Sequence, residues 1–152
     1  MAQRFPTSNF LGVERQRERA EKARKKIALL GLGNAEVLHG DGLEILARLP
    51  DACADRVHIL FPDPWPKRRH KIRRMIGGEF LLETLRILKV RGLVRLVTDD
   101  PDYARAMESD AAGIAAFQRT ESELANYPPT EFQIKFRADS RPVYGLAFER
   151  FN

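Results

Sequence analysis

The residues with the most chemical content stand together at positions 61–67, F-P-D-P-W-P-K. They place a carboxylate, Asp63, between two prolines and beside a flat aromatic, Trp65, and a cation, Lys67. Proline fixes its own φ, so such a loop presents the carboxylate in a preset position and loses little freedom on binding. Trp65 offers a face on which a base can stack, or an anchor for packing. Lys67 and the cations that follow can reach phosphates. Residue types alone therefore describe a site that holds a base next to a nucleic-acid backbone. An ordinary surface loop rarely needs three prolines and a tryptophan so close together.

The charge pattern points the same way. Lys and Arg number 26 against 21 Asp and Glu, a net charge of +5. Residues 67–74, K-R-R-H-K-I-R-R, contribute six of those cations and no acid, and without them the chain holds 20 basic against 21 acidic residues. The basic character is one local patch, which suits a polyanionic partner. A solvated surface run is the competing reading. His70 sits among these cations, which disfavours its protonated form.

The elements that must position this loop can be read from periodicity. Asn9–Val13 reads as a short strand ending at Glu14, and Arg15–Leu30 as a helix with Ala20, Ala23, Ile27 and Leu30 on one face. Ala35–Leu38 reads as a strand ending near Asp41, Leu43–Leu49 as a short helix stopped by Pro50, and Arg56–Phe61 as a third strand. Glu79–Leu88 reads as a helix, Leu93–Val97 as a strong strand before Thr98-Asp99, and Asp102–Met107 as the start of another helix. Beyond residue 114 the pattern weakens. Phe132–Phe136 and Val143–Phe148 read as two late strands, paired antiparallel. Strand and helix in alternation indicate an α/β fold with a largely parallel sheet. Glu14, Asp41, Asp63 and Asp99 all follow strands, and in such a sheet ligands bind outside the carboxyl ends. The four acids are therefore expected along one edge. An acid in the place of Glu14 commonly accepts hydrogen bonds from a ribose diol, although a first-turn acid also suits the helix dipole.

Composition bounds the rest. A chain of 152 residues has the size of one domain, 1–152. At 43% hydrophobic and 31% charged residues it is a soluble globular chain rather than a disordered one. Its longest apolar runs are far too short to span a bilayer, so no membrane partner is expected. No secretory signal is visible. A single cysteine, Cys53, excludes an intrachain disulfide and a Cys-based zinc site, and no metal is expected. A reducing, cytoplasmic location follows as the default.

The segment 61–76, F-P-D-P-W-P-K-R-R-H-K-I-R-R-M-I, resembles the signature of the bacterial tRNA (guanine-N7)-methyltransferases: F-P-D-P-W-x-K, a basic stretch with a His, then R-R and an aliphatic residue. N-F-L-G-V-E (9–14) is similar to the family's N-F-x-G-x-E, and G-D-G (40–42) falls where the family has an acid or amide before a small residue. T-D-D-P-D-Y (98–103) resembles T-D-x-x-x-Y, while P-T-E-F-Q-I-K-F (129–136) and R-P-V-Y (141–144) resemble the C-terminal motifs. The likeness runs from about residue 9 to 150.

The resemblance implies a Rossmann-like, S-adenosylmethionine-dependent methyltransferase sheet and methyl transfer to N7 of a variable-loop guanine in tRNA. It assigns the cofactor ribose to Glu14 and the neighbourhood of the adenine to Asp41. Asp63 becomes the catalytic residue, close to both cofactor and guanine. Lys67, Asp99, Thr130 and Gln133 become substrate contacts, and Arg68, Arg69, Lys71, Arg73 and Arg74 meet the RNA backbone. Guanine N7 carries a lone pair and no proton, so attack on a methyl group needs alignment rather than a base. Asp63 is thus expected to position guanine and to offset the positive charge developing on it.

The chain departs from the family pattern in three places. The family's first strand and its glycine-rich turn, E-I-G-x-G-x-G, have no counterpart, and Met1-Ala2 aligns inside the helix that follows that turn. In this fold that strand lies between the second and fourth, so the sheet is expected to be missing its first strand and to leave backbone edges unpaired. A start placed too late, a shortened paralogue, and a homo-oligomer whose second chain supplies the strand are three open explanations. Gln133 stands where the family has Glu, and Val90-Arg91-Gly92 replaces a Pro-Gly-Gly turn. The short chain alone is expected to transfer methyl groups poorly. Three functions follow: the methyltransferase, a catalytically impaired tRNA-binding remnant of it, and a generic basic α/β interaction protein.

Overall fold

The computed structural model describes residues 1–121 and 127–152. The chain divides into two compact units, Met1–Arg48 and Leu49–Asn152.

In the first unit, β1 (Phe10–Glu14) pairs in parallel with β2 (Ala35–His39), with Gly12 opposite Val37 and Glu14 opposite His39. The connection is α1 (Arg17–Leu29), which buries Ala20 completely and donates from Arg24 Nε to the Val37 carbonyl at 2.7 Å. The helix ends at Leu30, and Gly31 follows with φ of +61°, a left-handed conformation that glycine adopts without a Cβ penalty. Asn34 then fastens the N-terminal segment, its amide donating to the carbonyls of Ala2, Phe5 and Ser8. The short helix α2 (Gly42–Arg48) closes the unit.

The second unit is built on a four-stranded sheet of order β3 (Ala54–Leu60), β4 (Leu88–Thr98), β6 (Tyr144–Arg150), β5 (Phe117–Arg119). β3 and β4 are parallel, and β6 runs antiparallel to both β4 and β5. β4 lies inside the sheet and is buried from Gly92 to Thr98. Its Val94, Leu96 and Val97 are at most 1% exposed, and each contributes about 1.5–3 kcal/mol by leaving water. The helices α3 (Gly78–Ile87) and α4 (Pro101–Ala112) supply Leu81, Ile87, Tyr103 and Met107 to the same core. Within β4 the chain turns tightly at Arg91-Gly92. Arg91 has φ of +67°, and a Cβ on Gly92 would lie 2.7 Å from the Lys89 carbonyl oxygen, so only glycine fits.

The late part of the chain corrects the sequence reading. Phe132–Phe136 is not a strand but the centre of α5 (Glu131–Ala138). F-Q-I-K-F alternates like a strand, yet five residues are too few for periodicity to decide. The capping box decides it: Thr130 Oγ1 accepts from the Gln133 N–H, and Gln133 Oε1 accepts from the Thr130 N–H. The antiparallel partners of the last strand are accordingly β4 and β5. Among the described residues no helix is long and apolar enough to cross a membrane.

Candidate functional site

Within the first unit, Glu14 ends β1 and Asp41 follows the carboxyl end of its parallel neighbour β2. Their backbones are tied together by a bond from Gly40 N–H to the Glu14 carbonyl. Each side chain is held by one oxygen. Glu14 Oε1 accepts from the Gln16 N–H at 2.8 Å, and Asp41 Oδ1 accepts from Leu43 N–H at 2.9 Å as the cap of α2. Both acids are half-buried. The second oxygen of a carboxylate so anchored suits a hydroxyl or amino donor of a bound ligand.

In the second unit, Asp63 follows β3 and Asp99 follows its parallel neighbour β4, so both lie at the same end of that sheet. The four acids are thus described as two pairs, one in each unit. The loop carrying Asp63 starts with a strained turn at Phe61, whose φ is +53°, and strains again at Trp65, φ +43°. Conformations of this kind cost about 1–3 kcal/mol each and persist only where surrounding contacts enforce them. Those contacts are visible. Phe61 N–H donates to the Val97 carbonyl at 2.8 Å, and the Phe61 ring packs 5.4 Å from Phe136 and 5.6 Å from Phe132. The far side of the loop is clamped by Arg74. Its Nε donates to the Pro64 carbonyl and its guanidinium reaches Asp102, both at 2.8 Å, while it lies 4.6 Å over the buried Tyr103 ring. The Tyr103 hydroxyl accepts from the Ile76 N–H at 2.9 Å, and burial pushes that phenol up from its usual range. The result is an exposed Asp63 on a braced backbone.

This arrangement redirects one sequence expectation. Arg74, expected on the RNA backbone, has only 7% of its side chain exposed and is committed to Asp102, Pro64 and Tyr103. Its position between two elements of the core makes it a structural clamp. Lys71 also turns to Asp102, at 2.7 Å, and remains 40% exposed. Lys71 and Arg74 together hold the Asp102 carboxyl below the usual carboxylate range. Lys67, Arg68, Arg69 and Arg73 stay exposed along the 3₁₀ turn Arg68–Arg73. Arg73 lies 5.1 Å over the Trp65 ring and His70 meets the same ring edge-on at 5.9 Å, so the tryptophan is flanked by a guanidinium and an imidazole.

The remaining expected contacts have local partners. Asp99 is ion-paired to Arg141 at 2.5 Å. Thr130 and Gln133 cap α5, and Gln133 is buried. The T-E-F-Q spelling at 130–133 carries that capping signature, so the helix could have been found from sequence. Tyr103, Arg74's inward turn and the Asp99–Arg141 pair bring together residues far apart in the chain, and no local pattern announces them.

A family model described as "Putative methyltransferase" matches residues 1–146. A tRNA (guanine-N(7)-)-methyltransferase of Nitrosococcus oceani is 36% identical over 98% of this chain and 64% of its own length. One of Marinobacter nauticus is 34% identical over 100% of this chain and 67% of its own. The chain thus spans about two thirds of the length of these curated relatives. The crystal structure of a SAM-dependent methyltransferase from Aquifex aeolicus superposes with a TM-score of 0.57 at 17% identity, covering 93% of this chain and 69% of that one. That likeness gives the fold: a Rossmann-like α/β architecture.

Proposed function

Because the chain belongs to the tRNA (guanine-N7)-methyltransferase family, we propose that it serves methyl transfer from S-adenosylmethionine to N7 of a variable-loop guanine in tRNA. The observation that carries this reading is the braced 61–74 loop, which presents an exposed carboxylate beside a tryptophan and a row of cations.

The chain's own residues divide the work. Glu14 and Asp41, each anchored through one oxygen, suit a cofactor's ribose hydroxyls and adenine amino group. S-adenosylmethionine, when bound, would supply a sulfonium methyl group to the guanine N7 lone pair, the C–S pair remaining on sulfur. Asp63 accepts from guanine N1–H and N2–H, and its fixed charge favours the purine cation that develops. No proton leaves N7, so Asp63 orients and stabilises rather than acting as a base. Trp65 offers a stacking face. Lys67, Arg68, Arg69 and Arg73 face phosphates, with Lys71 shared between Asp102 and solvent. Asp99, Thr130 and Gln133 contribute at the substrate side, Asp99 through the oxygen its arginine leaves and Gln133 through its amide nitrogen. In this reading the whole chain, 1–152, is one methyltransferase-like domain of a cytoplasmic enzyme, and a homo-oligomer is the assembly to look for by sedimentation.

The test is methyl transfer from labelled S-adenosylmethionine to unmodified tRNA, with the modified base identified by mass spectrometry. Transfer to guanine N7 that falls by about 10²–10³ in Asp63→Asn, with folding intact, supports the reading. Saturable, salt-dependent tRNA binding without transfer points instead to the catalytically impaired remnant. Neither transfer nor tRNA binding sinks both.

A further inference from the structure

A cavity of about 330 Å³ opens in the second unit where β4 and β6 meet α5, lined by Arg95, Val97, Gln133, Arg137, Arg141 and Gly145. Its chemistry is one-sided. Three guanidiniums face it, and no carboxylate is among its described lining residues. Gln133 adds donors rather than acceptors, because its Oε1 is committed to the Thr130 N–H and its Nε2 remains to donate. Gly145 stands opposite Val97 and brings no side chain to the lining.

Arg95 is the unusual member. It sits in the interior strand β4, opposite His58 on β3 and Ala147 on β6, with 7% of its surface exposed. Its Nε has no hydrogen-bond partner among the described residues. The Tyr127 ring lies 5.5 Å from its guanidinium on one side. Burial pulls its pKa down, while the other arginines at the cavity are exposed. A guanidinium stays charged under nearly all conditions, so a buried one that meets no carboxylate among the described residues carries a desolvation cost that the Tyr127 ring offsets only in part. Arg141 is already neutralised by Asp99, whereas Arg95 and Arg137 are not paired to an acid among the described residues.

The geometry points to a phosphate-binding site: the cavity takes a phosphate group on Arg95, Arg137 and the Gln133 amide, with Arg141 at its rim. Planar guanidiniums match phosphate oxygens in pairs of parallel hydrogen bonds, and the volume admits the group with its ribose attached. Two sources share this chemistry, the RNA backbone and free inorganic phosphate. The RNA source rests on the function proposed above, while the phosphate site itself does not.

The experiment titrates the full chain with inorganic phosphate at constant ionic strength, following the arginine Nε–H signals by NMR and the melting temperature. Saturable shifts of the Arg95 signal and a rise in melting temperature are expected with phosphate and not with chloride. Arg95→Met should weaken phosphate binding about tenfold or more, while melting no lower than the parent in phosphate-free buffer, because an apolar side chain of similar size replaces a buried charge that no described acid pairs. Should that variant fail to fold, Arg137→Gln on the helix surface carries the same expectation of weaker binding. Displacement of phosphate by tRNA assigns the RNA source, and phosphate binding that tRNA does not displace assigns the free ion. Absence of a saturable phosphate effect, or undiminished binding in both variants, overturns the site. Methyl transfer does not enter this readout, so the inference and the proposed function fail separately.

Discussion

Two groups of cations in the second unit obey opposite rules. Those at 67–74 lie close together in sequence, are mostly exposed, and sit on or directly flank one 3₁₀ turn. Those at 95, 137 and 141 come from a strand, a helix and a loop, and one of them is buried. Clustered exposed cations cost little because water screens them, so a chain can display many of them ready for a polyanion. A buried cation needs a partner. Arg74 and Arg95 are each 7% exposed by side chain and by whole residue respectively, yet Arg74 has Asp102 and Arg95 has no acid among the described residues. The difference separates a cation that holds the fold from one that awaits a ligand.

The sharpest way to break this comparison is Arg74→Ala. It removes a near-buried guanidinium with bonds to Pro64 and Asp102 and its packing on Tyr103, and should cost about 2–4 kcal/mol in urea unfolding. The single variants Arg68→Ala and Arg69→Ala should stay within about 0.5 kcal/mol of the parent. A loss at Arg68 equal to that at Arg74 would erase the distinction between clamp and contact.

Next in size is the combined Arg68→Ala, Arg69→Ala, Arg73→Ala variant. Each lost phosphate contact should lower the slope of log affinity for tRNA against log salt by about 0.7–0.9, with the melting temperature little changed. An unaltered slope would show that the exposed row does not meet the RNA.

Thr130→Ala should be milder. It removes the cap of the helix that carries Gln133 and Arg137, a loss of about 1 kcal/mol. The matching hydrogen-exchange readout is faster exchange in the first turn of α5, while α4, capped by Asp100, keeps its protection.

The smallest effect concerns acid. The Asp102 carboxyl is held below its ordinary range by Lys71 and Arg74. Its contribution is therefore fully present above the ordinary carboxylate pKa and disappears as pH falls through the depressed folded value. Asp102→Asn should flatten the acid limb of the stability curve just below that ordinary range and leave neutral pH behaviour similar in slope. A parent curve already flat there would remove the ion pairs from the account.

Fold class and site loop were legible for a local reason. Strand β4, helix α3 and the prolines at 62, 64 and 66 declare themselves through periodicity and backbone restriction, properties a few neighbouring residues carry by themselves. The α5 segment misled because its alternation satisfied a strand while its capping signature satisfied a helix. The packing of Phe132 and Phe136, one turn apart, on Phe61 agrees with the helix.

What sequence by itself determined was the chemistry on display: the carboxylate between prolines, the tryptophan beside it, the exposed cations and the order of strands and helices as far as α4. Tertiary structure alone decided which cations are on display at all. Burial and pairing are set by residues distant in the chain, with Asp102 reaching back to Arg74 and α5 lying against the cavity around Arg95. The free energy of a charge depends on the medium and partners around it rather than on its neighbours in sequence. Arg73 and Arg74 are adjacent and chemically identical, and one faces a tryptophan at the surface while the other is locked into the core.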